Sequence, residues 1–410
     1  MSDSFYRLAP FIQEYIYTHG WSELRPVQVE ACRVIFDTDT HLLLAAGTAS
    51  GKTEAAFLPV LTLLHDQPAT TIGVLYIGPI KALINDQFER LNDLLKEADI
   101  PVWHWHGDVS QSRKKQLLKD PNGILQITPE SLESLLINKN TELVRLFGDL
   151  RFVIIDEIHA FMGSERGCQI LCQLARLSRF VQNPPRRIGL SATLGNYSLA
   201  AEWLRAGTER SVITSDIKAG QRKLHLAVEH FYVPYQPVTE ATPPLVPRLS
   251  LGTRGDNTTN ISPYYRYIFN HTKSRNCLIF ANNRSQTESV IATLRQIAEA
   301  EALPDIYHVH HGSISARLRE AAENAMREPT APAVTAATLT LELGIDIGQL
   351  ERVIQLEAPL SVSSFLQRLG RSGRRGSAAD MRFVCAQDEL SGEESLPEQI
   401  PWQLLQAIWR

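Results

Sequence analysis

The chain has 410 residues and a formal net charge of −4 at pH 7. Because single hydrophobic cores stop growing at roughly 250–300 residues, this length predicts two domains. The charge excludes a globally basic surface, so any nucleic-acid partner must be held by local patches. The sequence has no apolar run near the roughly 20 residues of a membrane span, and its first residues do not resemble a signal peptide. We therefore expect a cytoplasmic protein.

The first half of the chain alternates apolar runs with helical patterns. Residues 1–40 have the hydrophobic spacing of helices, and the apolar runs that follow have the length of buried strands. These runs cover residues 42–46, 71–77, 124–128, 152–155 and 188–191. Strands separated by helices predict a parallel α/β sheet. We assign residues 1–215 to N-terminal helices and a first α/β domain.

The second half begins with a change in composition. Residues 216–275 are rich in proline and include a polar stretch, which predicts a linker with an insertion. Within it, residues 224–233 have the pattern of an edge strand of the next domain. A second alternation of apolar runs and helices predicts another parallel α/β domain over residues 276–390. Residues 391–410 are acidic and then helical, which is consistent with the start of a further domain.

A turn of small residues, from Ala46 to Thr53, connects the first predicted strand to a helix. Backbone N–H groups of such a turn converge on one point, which suits phosphate oxygens. Lys52 would reach the β- and γ-phosphates of a nucleotide, and the Thr53 hydroxyl would ligate Mg²⁺. Ala46 stands where the strict P-loop pattern has glycine. The phosphate-binding residues predicted by this pattern are Thr48, Ala49, Ser50, Gly51, Lys52 and Thr53.

Polar residues follow two of the other predicted strands. Asp156 would hold Mg²⁺ through water, and Glu157 would orient or deprotonate the attacking water. His159 would link the state of the nucleotide to the neighbouring domain. Ser191 and Thr193 would hydrogen-bond the two carboxylates and connect the domains. The alternative for these residues is a simpler one, in which they cap the helices that follow the strands.

An arginine-rich stretch, residues 367–375, lies near the end of the second predicted domain. Its glycines allow sharp turns, so that Arg371 and Arg374 can point in the same direction. A guanidinium that reaches a γ-phosphate stabilises the charge of the transition state, and such an arginine finger increases the rate by roughly 10³–10⁵. The alternative is a basic patch that binds nucleic acid.

Taken in order, these stretches resemble the motifs of a superfamily 2 helicase core, and the resemblance covers nearly all of residues 20–385. Such a core has two RecA-like parallel-sheet domains in tandem, with an ATP cleft between them. The matching stretches are Gln28 (Q-motif), 48–53 (motif I), 79–87 (Ia), 128–130 (Ib), 156–159 (II), 191–193 (III), 279–284 (IV), 338–346 (V) and 367–374 (VI).

The resemblance implies a role for each motif. ATP and Mg²⁺ are the expected cofactors; Gln28 reads adenine, and Gly344 and Asp346 contact the nucleotide, Asp346 at the ribose. The catalytic set that it implies is Lys52, Asp156, Glu157, Gln367, Arg371 and Arg374. The phosphates of a nucleic-acid strand would be held without strong sequence specificity. The residues expected to hold them are Pro79, Lys81, Thr128, Glu130, Asn283, Arg284, Gly312, Ser313 and Thr338.

Several stretches further resemble the Lhr-like (large helicase-related) branch. They are residues 76–83, 156–160, 165–167, 310–313 and 341–346. This resemblance implies a DNA motor that moves 3′ to 5′ on single-stranded DNA or a 3′-tailed duplex, with a role in DNA repair or phage defence. Motif II is not Asp-Glu-Ala-Asp, which argues against the RNA helicases named for that sequence. The winged-helix and later domains of the branch have no counterpart after residue 390, so we expect a truncated chain or a compact variant that works with protein partners.

Two other functions compete with the DNA helicase. An RNA helicase would be stimulated by RNA, because only RNA contacts exploit the 2′-hydroxyl. A nucleotide-sensing scaffold subunit of a larger DNA-processing complex would lack Glu157 or the arginine fingers, and both are present. His308, His310 and His311 lie together in the sequence, but no nearby cysteine or carboxylate completes a metal site.

Overall fold

In the computed structural model, the chain divides into two compact units, residues 1–219 and 220–410. None of the helices described is long and apolar enough to cross a bilayer. The structure describes residues 3–47, 50–95, 98, 100–192, 196–216, 223–233, 261–328, 331–342, 347–348, 350–373, 378–389 and 395–409.

The first unit is an α/β sandwich whose helices flank one sheet. Its helices are α1 (Asp3–Tyr6), α2 (Pro10–Thr18), α3 (Pro26–Asp37), α4 (Lys52–Asp66), α5 (Lys81–Leu94), α6 (Gln111–Lys119), α7 (Pro129–Asn138), α8 (Leu143–Phe147), α9 (Glu165–Leu177) and α10 (Tyr197–Arg205). Short 3₁₀ turns cover Asn140–Glu142 and Ile158–Ala160. Its strands are β1 (His41–Ala45), β2 (Ile72–Ile77), β3 (Val102–Trp105), β4 (Gly123–Ile127), β5 (Phe152–Ile155), β6 (Arg186–Ser191) and β7 (Val212–Asp216).

The strands of the first unit pair in the order β3-β4-β2-β5-β6-β1-β7, and every pair is parallel. Strands β1, β2 and β5 are buried along their whole length, because helices cover both faces of a parallel sheet. The carboxyl ends of all the strands therefore lie at one edge, where ligands bind in open α/β sheets.

The second unit repeats this architecture. Its helices are α11 (Pro263–Thr272), α12 (Arg284–Ala300), α13 (Ala316–Arg327), α14 (Val362–Leu369), α15 (Leu396–Gln399) and α16 (Trp402–Trp409), with a 3₁₀ turn at Leu339–Leu341. Its strands are β8 (Leu224–Val233), β9 (Cys277–Phe280), β10 (Tyr307–His310), β11 (Val334–Ala337), β12 (Arg352–Leu356) and β13 (Ala379–Asp388). They pair in the order β10-β11-β9-β12-β13-β8, again all parallel. The predicted fold class, two parallel-sheet α/β domains in tandem, is confirmed.

One stretch differs from its expected character. The sequence favours a linker with an insertion over residues 216–275, with an edge strand at residues 224–233. Strand β8 covers these residues and pairs with β13 at the edge of the second sheet, as that pattern predicts. The difference is helix α11, which the sequence does not predict. Helix α11 buries Ile268 and Phe269 in the core of the second unit. The aromatic residues of α11 supply this apolar face, which the proline-rich composition of the neighbouring residues obscures.

Candidate functional site

The order of the strands decides which motifs are neighbours in the first unit. Strands β5, β6 and β1 are adjacent, and they lead into Asp156, Ser191 and the turn before Lys52. Strands β4 and β2 are adjacent on the other side of β5, and they lead into Thr128 and Pro79. The nucleotide motifs thus occupy one part of the carboxyl edge, and the expected nucleic-acid motifs occupy the next part.

The phosphate-binding turn is shaped by Gly51, which precedes α4 with φ of 84°. A Cβ atom at this position would lie 2.8 Å from Gln28 Nε2, so both the backbone conformation and the lack of space favour glycine. Lys52 Nζ donates hydrogen bonds to the carbonyl oxygens of Ala46 at 2.6 Å and of Gly47 at 3.1 Å. Lys52 therefore lies across the turn that is expected to bind phosphate.

Three further predicted residues lie at this turn. Ser50 donates its backbone N–H to Gly47 O at 3.3 Å, and Thr53 lies in the first turn of α4. Gln28 is 1% exposed, and its Oε1 accepts a hydrogen bond from Arg25 N at 2.9 Å, which caps the start of α3. The role of Gln28 in reading adenine stays a prediction.

Asp156 lies at the end of β5 with both carboxylate oxygens engaged. Its Oδ1 accepts a hydrogen bond from Glu157 N at 2.8 Å, and its Oδ2 accepts one from the hydroxyl of Tyr76, a fully buried residue of β2. Burial and the negative charge of Glu157 raise the pKa of Asp156 to about 6, although Tyr76 and Lys52 oppose the shift. A bound cation would favour the ionised carboxylate at this position.

The residues at the turn fit Mg²⁺ in their donor chemistry. Mg²⁺ prefers oxygen ligands and is usually bound through one or two protein groups together with phosphates and water. The Asp156 carboxylate and the Thr53 hydroxyl are groups of this kind. Among the described residues, no cluster of three or more histidine, cysteine or acidic side chains offers an all-protein metal site.

Glu157 has a left-handed backbone conformation, with φ of 48° and ψ of 48°. For a residue with a side chain, such a conformation costs about 1–3 kcal/mol and is enriched at functional sites. His159 Nδ1 lies 2.8 Å from Ser191 Oγ and 3.6 Å from Glu157 Oε2. Glu157, which is expected to activate water, therefore lies close to His159 and Ser191, which are expected to couple the domains.

In the second unit, the predicted arginine finger Arg371 is 2% exposed and donates from Nη2 to the carbonyl oxygen of Glu342 at 2.8 Å. The neighbouring Arg368 is fully buried and donates from Nε to Glu342 Oε2 at 2.8 Å. It also donates to Gln355 Oε1, and its guanidinium lies 4.7 Å from the centre of the Phe280 ring. Glu342 thus connects the segment after β11 to the end of α14.

Of the remaining residues that are predicted to contact the nucleotide, only Gln367 lies in the described part of the chain. It is in α14, one residue before Arg368, and is 4% exposed. The predicted residues that fall outside the described part of the chain are Thr48, Ala49, Thr193, Gly344, Asp346 and Arg374.

The expected nucleic-acid residues of the first unit follow β2 and β4. Lys81 begins α5, and its Nζ lies 3.1 Å from Asp108 Oδ1. Thr128 caps α7, where its Oγ1 accepts a hydrogen bond from Ser131 N at 3.4 Å. Pro79 O and the Glu130 carboxylate both accept hydrogen bonds from one arginine, Arg166.

Those of the second unit follow three neighbouring strands, β10, β11 and β9. Asn283 caps α12 through a hydrogen bond from Gln286 N to its Oδ1 at 2.8 Å, and the exposed Arg284 is the first residue of that helix. Gly312 and Ser313 lie in the turn after β10, and Thr338 follows β11.

Histidines support these loops of the second unit. His311 Nδ1 accepts a hydrogen bond from Ser313 N at 3.3 Å, and its Nε2 lies 2.9 Å from Glu288 Oε1. His310 lies 2.9 Å from Glu323 Oε1 through its Nε2. Each of these two histidines thus has one acidic partner from a helix that is distant in the sequence, Glu323 of α13 for His310 and Glu288 of α12 for His311.

Four residues organise these sites although the motif pattern gives them no role: Tyr76, Arg166, Glu342 and Arg368. Each lies within a stretch that carries the family resemblance, but the motif pattern alone does not say what its side chain contacts. One signal was available for Tyr76, because its hydroxyl interrupts an apolar strand and a buried hydroxyl needs a partner.

Comparison with known proteins agrees with this geometry. Residues 25–200 match the DEAD/DEAH box helicase family, and residues 260–376 match the helicase conserved C-terminal domain. The ATP-dependent helicase Lhr-Core of Saccharolobus solfataricus is 30% identical over 383 residues, which cover 89% of this chain and 41% of that protein. The Lhr helicase/uracil glycosylase of Escherichia coli is 32% identical, over 82% of this chain and 24% of that protein.

A solved structure is similar over most of the chain. The Mycobacterium smegmatis helicase Lhr, bound to ssDNA and AMP-PNP, superimposes with a TM-score of 0.74 at 28% identity, over 94% of this chain and 48% of that one. The fold and motifs thus define a superfamily 2 helicase core with two RecA-like domains. Within that class the chain is similar to members of the Lhr-like branch. It spans less than half the length of each of these relatives.

Proposed function

We propose that this chain is the motor core of an ATP-dependent DNA helicase, which couples ATP hydrolysis in a cleft between its two domains to 3′-to-5′ movement along one strand. The observation that carries the proposal is the order of loops at the edge of the first sheet. Nucleotide motifs follow β1, β5 and β6, and nucleic-acid motifs follow the adjacent β2 and β4. Because both sets of loops lie at one edge of the same sheet, a change at the nucleotide can alter how tightly the nucleic-acid strand is bound.

In this proposal, the first domain holds the nucleotide. Lys52 leaves the carbonyl oxygens of its own turn and binds the β- and γ-phosphates, and Gln28 contacts adenine. Thr53 and Asp156 would hold Mg²⁺, which neutralises negative charge on the phosphates when it is bound. Glu157 orients the attacking water and accepts its proton.

The second domain completes the reaction. Gln367, Arg371 and Arg374 approach the γ-phosphate, where the guanidinium groups stabilise the transition state. Gly344 and Asp346 would contact the rest of the nucleotide. Closure of the domains needs the γ-phosphate, and its loss on hydrolysis releases them. His159, Ser191 and Thr193 would pass this change from the carboxylates to the neighbouring domain.

The strand would cross loops of both domains. Contacts to its phosphates come from the loops after β2 and β4 in the first domain and after β9, β10 and β11 in the second. Because phosphate contacts carry no base information, we expect little sequence preference. The ssDNA bound to the Mycobacterium smegmatis relative supports DNA as the polymer.

An ATPase assay with single-stranded DNA, duplex DNA and RNA in parallel tests the proposal. We expect single-stranded DNA to stimulate hydrolysis most, and Lys52→Ala to abolish both basal and stimulated activity. Stimulation by RNA alone would identify an RNA helicase. Nucleotide binding without hydrolysis would indicate a scaffold subunit.

Duplexes with either a 3′ or a 5′ tail test the direction. Displacement from the 3′-tailed substrate alone is expected. Displacement from the 5′-tailed substrate alone would contradict the proposed direction. A role in repair or phage defence, any protein partner and the cytoplasmic location stay predictions.

A further inference from the structure

Helix α9 begins five residues after the 3₁₀ turn that follows Glu157, and its first turn carries Arg166. This helix packs along α7, the helix that begins with the expected nucleic-acid residues Thr128 and Glu130. Arg166 is therefore close in sequence to the carboxylates of motif II, and its helix packs on an element expected to bind a strand.

The guanidinium of Arg166 joins the two strand-binding loops of the first unit. Its Nε donates to Glu130 Oε1 at 2.6 Å, and its Nη2 donates to Pro79 O at 2.7 Å. Pro79 follows β2 and Glu130 follows β4. Burial raises the pKa of Glu130, but hydrogen bonds, led by that from Arg166, leave it below its ordinary value. The carboxylate is therefore ionised and paired with the guanidinium.

The bond to Pro79 O also fixes a backbone N–H. In a trans peptide the carbonyl oxygen and the next N–H point in opposite directions. Because Arg166 draws the oxygen of Pro79 towards α9, the N–H of Ile80 is directed away from α9. A backbone N–H fixed in this way is a suitable donor for a phosphate oxygen.

Arg166 is also tied to the segment after motif II. Its guanidinium lies 5.3 Å from the centre of the Phe161 ring. The next residue, Gly167, approaches this segment so closely that a Cβ atom would lie 2.1 Å from Phe161 O. Phe161 in turn donates its N–H to Ile158 O at 3.0 Å, within the 3₁₀ turn. The start of α9 is therefore packed closely against the residues that follow Glu157.

We infer that Arg166 is a positioning residue, which sets the loops after β2 and β4 for a nucleic-acid strand and connects them to motif II. The inference rests on the proposed function, because it assumes that these loops bind phosphates. An exposed ion pair contributes little to folding stability, and the side chains of Arg166 and Glu130 are 37% and 57% exposed. The role is therefore expected to be visible in strand binding and in the DNA concentration that half-saturates ATP hydrolysis.

The test compares Arg166→Ala with Arg176→Ala in the full chain. Arg176 is the matched control, because it lies on the same helix and joins α9 to α7 through Glu133. The measurements are thermal unfolding, ATPase rate at rising concentrations of a single-stranded DNA oligonucleotide, and direct binding of that oligonucleotide. For Arg166→Ala we expect a roughly tenfold rise in the half-saturating DNA concentration, with kcat at saturation within about twofold of wild type. Arg176→Ala is expected to match wild type in both.

Two further variants separate positioning from general loss of structure. Arg166→Lys keeps the charge but not the two-pronged geometry, so it should recover only part of the affinity. Glu130→Gln should raise the half-saturating DNA concentration less than Arg166→Ala, because the bond to Pro79 remains. Wild-type DNA affinity in Arg166→Ala, or equal losses in Arg166→Ala and Arg176→Ala, would overturn the inference. If the wild-type chain itself did not respond to any oligonucleotide, the proposed function would fail instead.

Discussion

The two α/β units hold the charged residues of their motifs by different means. In the first unit, the carboxylate of Asp156 is held by the hydroxyl of Tyr76 and by a backbone N–H, and Lys52 is held by carbonyl oxygens. In the second unit, the buried guanidinium of Arg368 is held by the carboxylate of Glu342. These partners of Asp156 and Lys52 are neutral groups, whereas this partner of Arg368 is a charged one.

Two arginines of the stretch 367–374, Arg368 and Arg371, have different partners and different expected roles. The charge of Arg368 is balanced by Glu342, so Arg368 serves the structure of the second unit. Arg371 donates to the backbone carbonyl oxygen of the same glutamate. Lys52 in the first unit likewise donates to backbone carbonyl oxygens. Both are residues for which we propose contacts with the phosphates of ATP.

The largest expected effect is on catalysis by Arg371. Arg371→Ala should lower kcat for ATP hydrolysis by roughly 10³–10⁵, because an arginine finger stabilises transition-state charge. Steady-state ATPase assays with saturating single-stranded DNA provide the measurement. Arg266→Ala is the control, since this arginine of α11 pairs with Glu301 on the surface, and it should keep the wild-type rate. A normal rate in Arg371→Ala would show that the finger is assigned wrongly.

Breaking the ion pair of the second unit should have the largest effect on stability. Glu342→Gln leaves the fully buried Arg368 without its counter-charge, which costs about 3–5 kcal/mol of the free energy of unfolding. Chemical unfolding followed by circular dichroism measures the loss. Glu351→Gln, at an exposed position of the same unit, should have no such effect. An unchanged unfolding midpoint in Glu342→Gln would remove the contrast between the two units.

A buried histidine of the first unit, His41, is expected to make the stability of the protein depend on pH. His41 in β1 is fully buried and neutral, because its Nδ1 accepts a hydrogen bond from Arg187 N at 2.9 Å. Burial and neighbouring arginines lower its pKa to about 4. The unfolded chain takes up a proton near pH 6.5, so about 3 kcal/mol of stability is present above pH 6.5 and is lost as the pH falls towards 4.

Unfolding midpoints between pH 4.5 and 7.5 should therefore depend less on pH in His41→Gln than in wild type. The glutamine side chain can still accept the hydrogen bond, but it does not take up a proton in this range. Equal slopes for the two proteins would mean that His41 does not contribute to the pH dependence.

The smallest expected effect is on the Mg²⁺ requirement of the ATPase, when Asp156 loses its hydrogen bond from the hydroxyl of Tyr76. Tyr76→Phe removes one hydroxyl and leaves the ring in place. We expect the half-saturating Mg²⁺ concentration of the ATPase to rise about tenfold, as for other residues that orient a metal ligand. Tyr264→Phe, at a buried position of the second unit, is the control. An unchanged Mg²⁺ requirement would mean that the backbone N–H of Glu157 is sufficient to orient the carboxylate.

Most of the fold could be predicted because its signals are local. Buried parallel strands appear as apolar runs, and the turn before Lys52 has the spacing of a phosphate site. The exception is α11, whose proline-rich neighbourhood favours a linker. Its packing depends on contacts with strands that lie far away in the sequence.

The partners of the motif residues could not be predicted in the same way. The pairing of Arg368 with Glu342 joins positions 26 residues apart, and that of Tyr76 with Asp156 joins positions 80 apart. Both pairs exist because strand order and helix packing bring distant segments together. A motif pattern identifies the residues, but only the fold shows which side chains they contact.

The proposed function requires that DNA binding and ATP hydrolysis by this chain depend on each other. The most direct measurement is the ATPase rate of wild type and Glu157→Gln with and without single-stranded DNA, alongside ATP binding by each protein. The account predicts at least tenfold stimulation of wild type by DNA, and ATP binding without hydrolysis in Glu157→Gln. A wild-type rate that is the same with and without nucleic acid would contradict it.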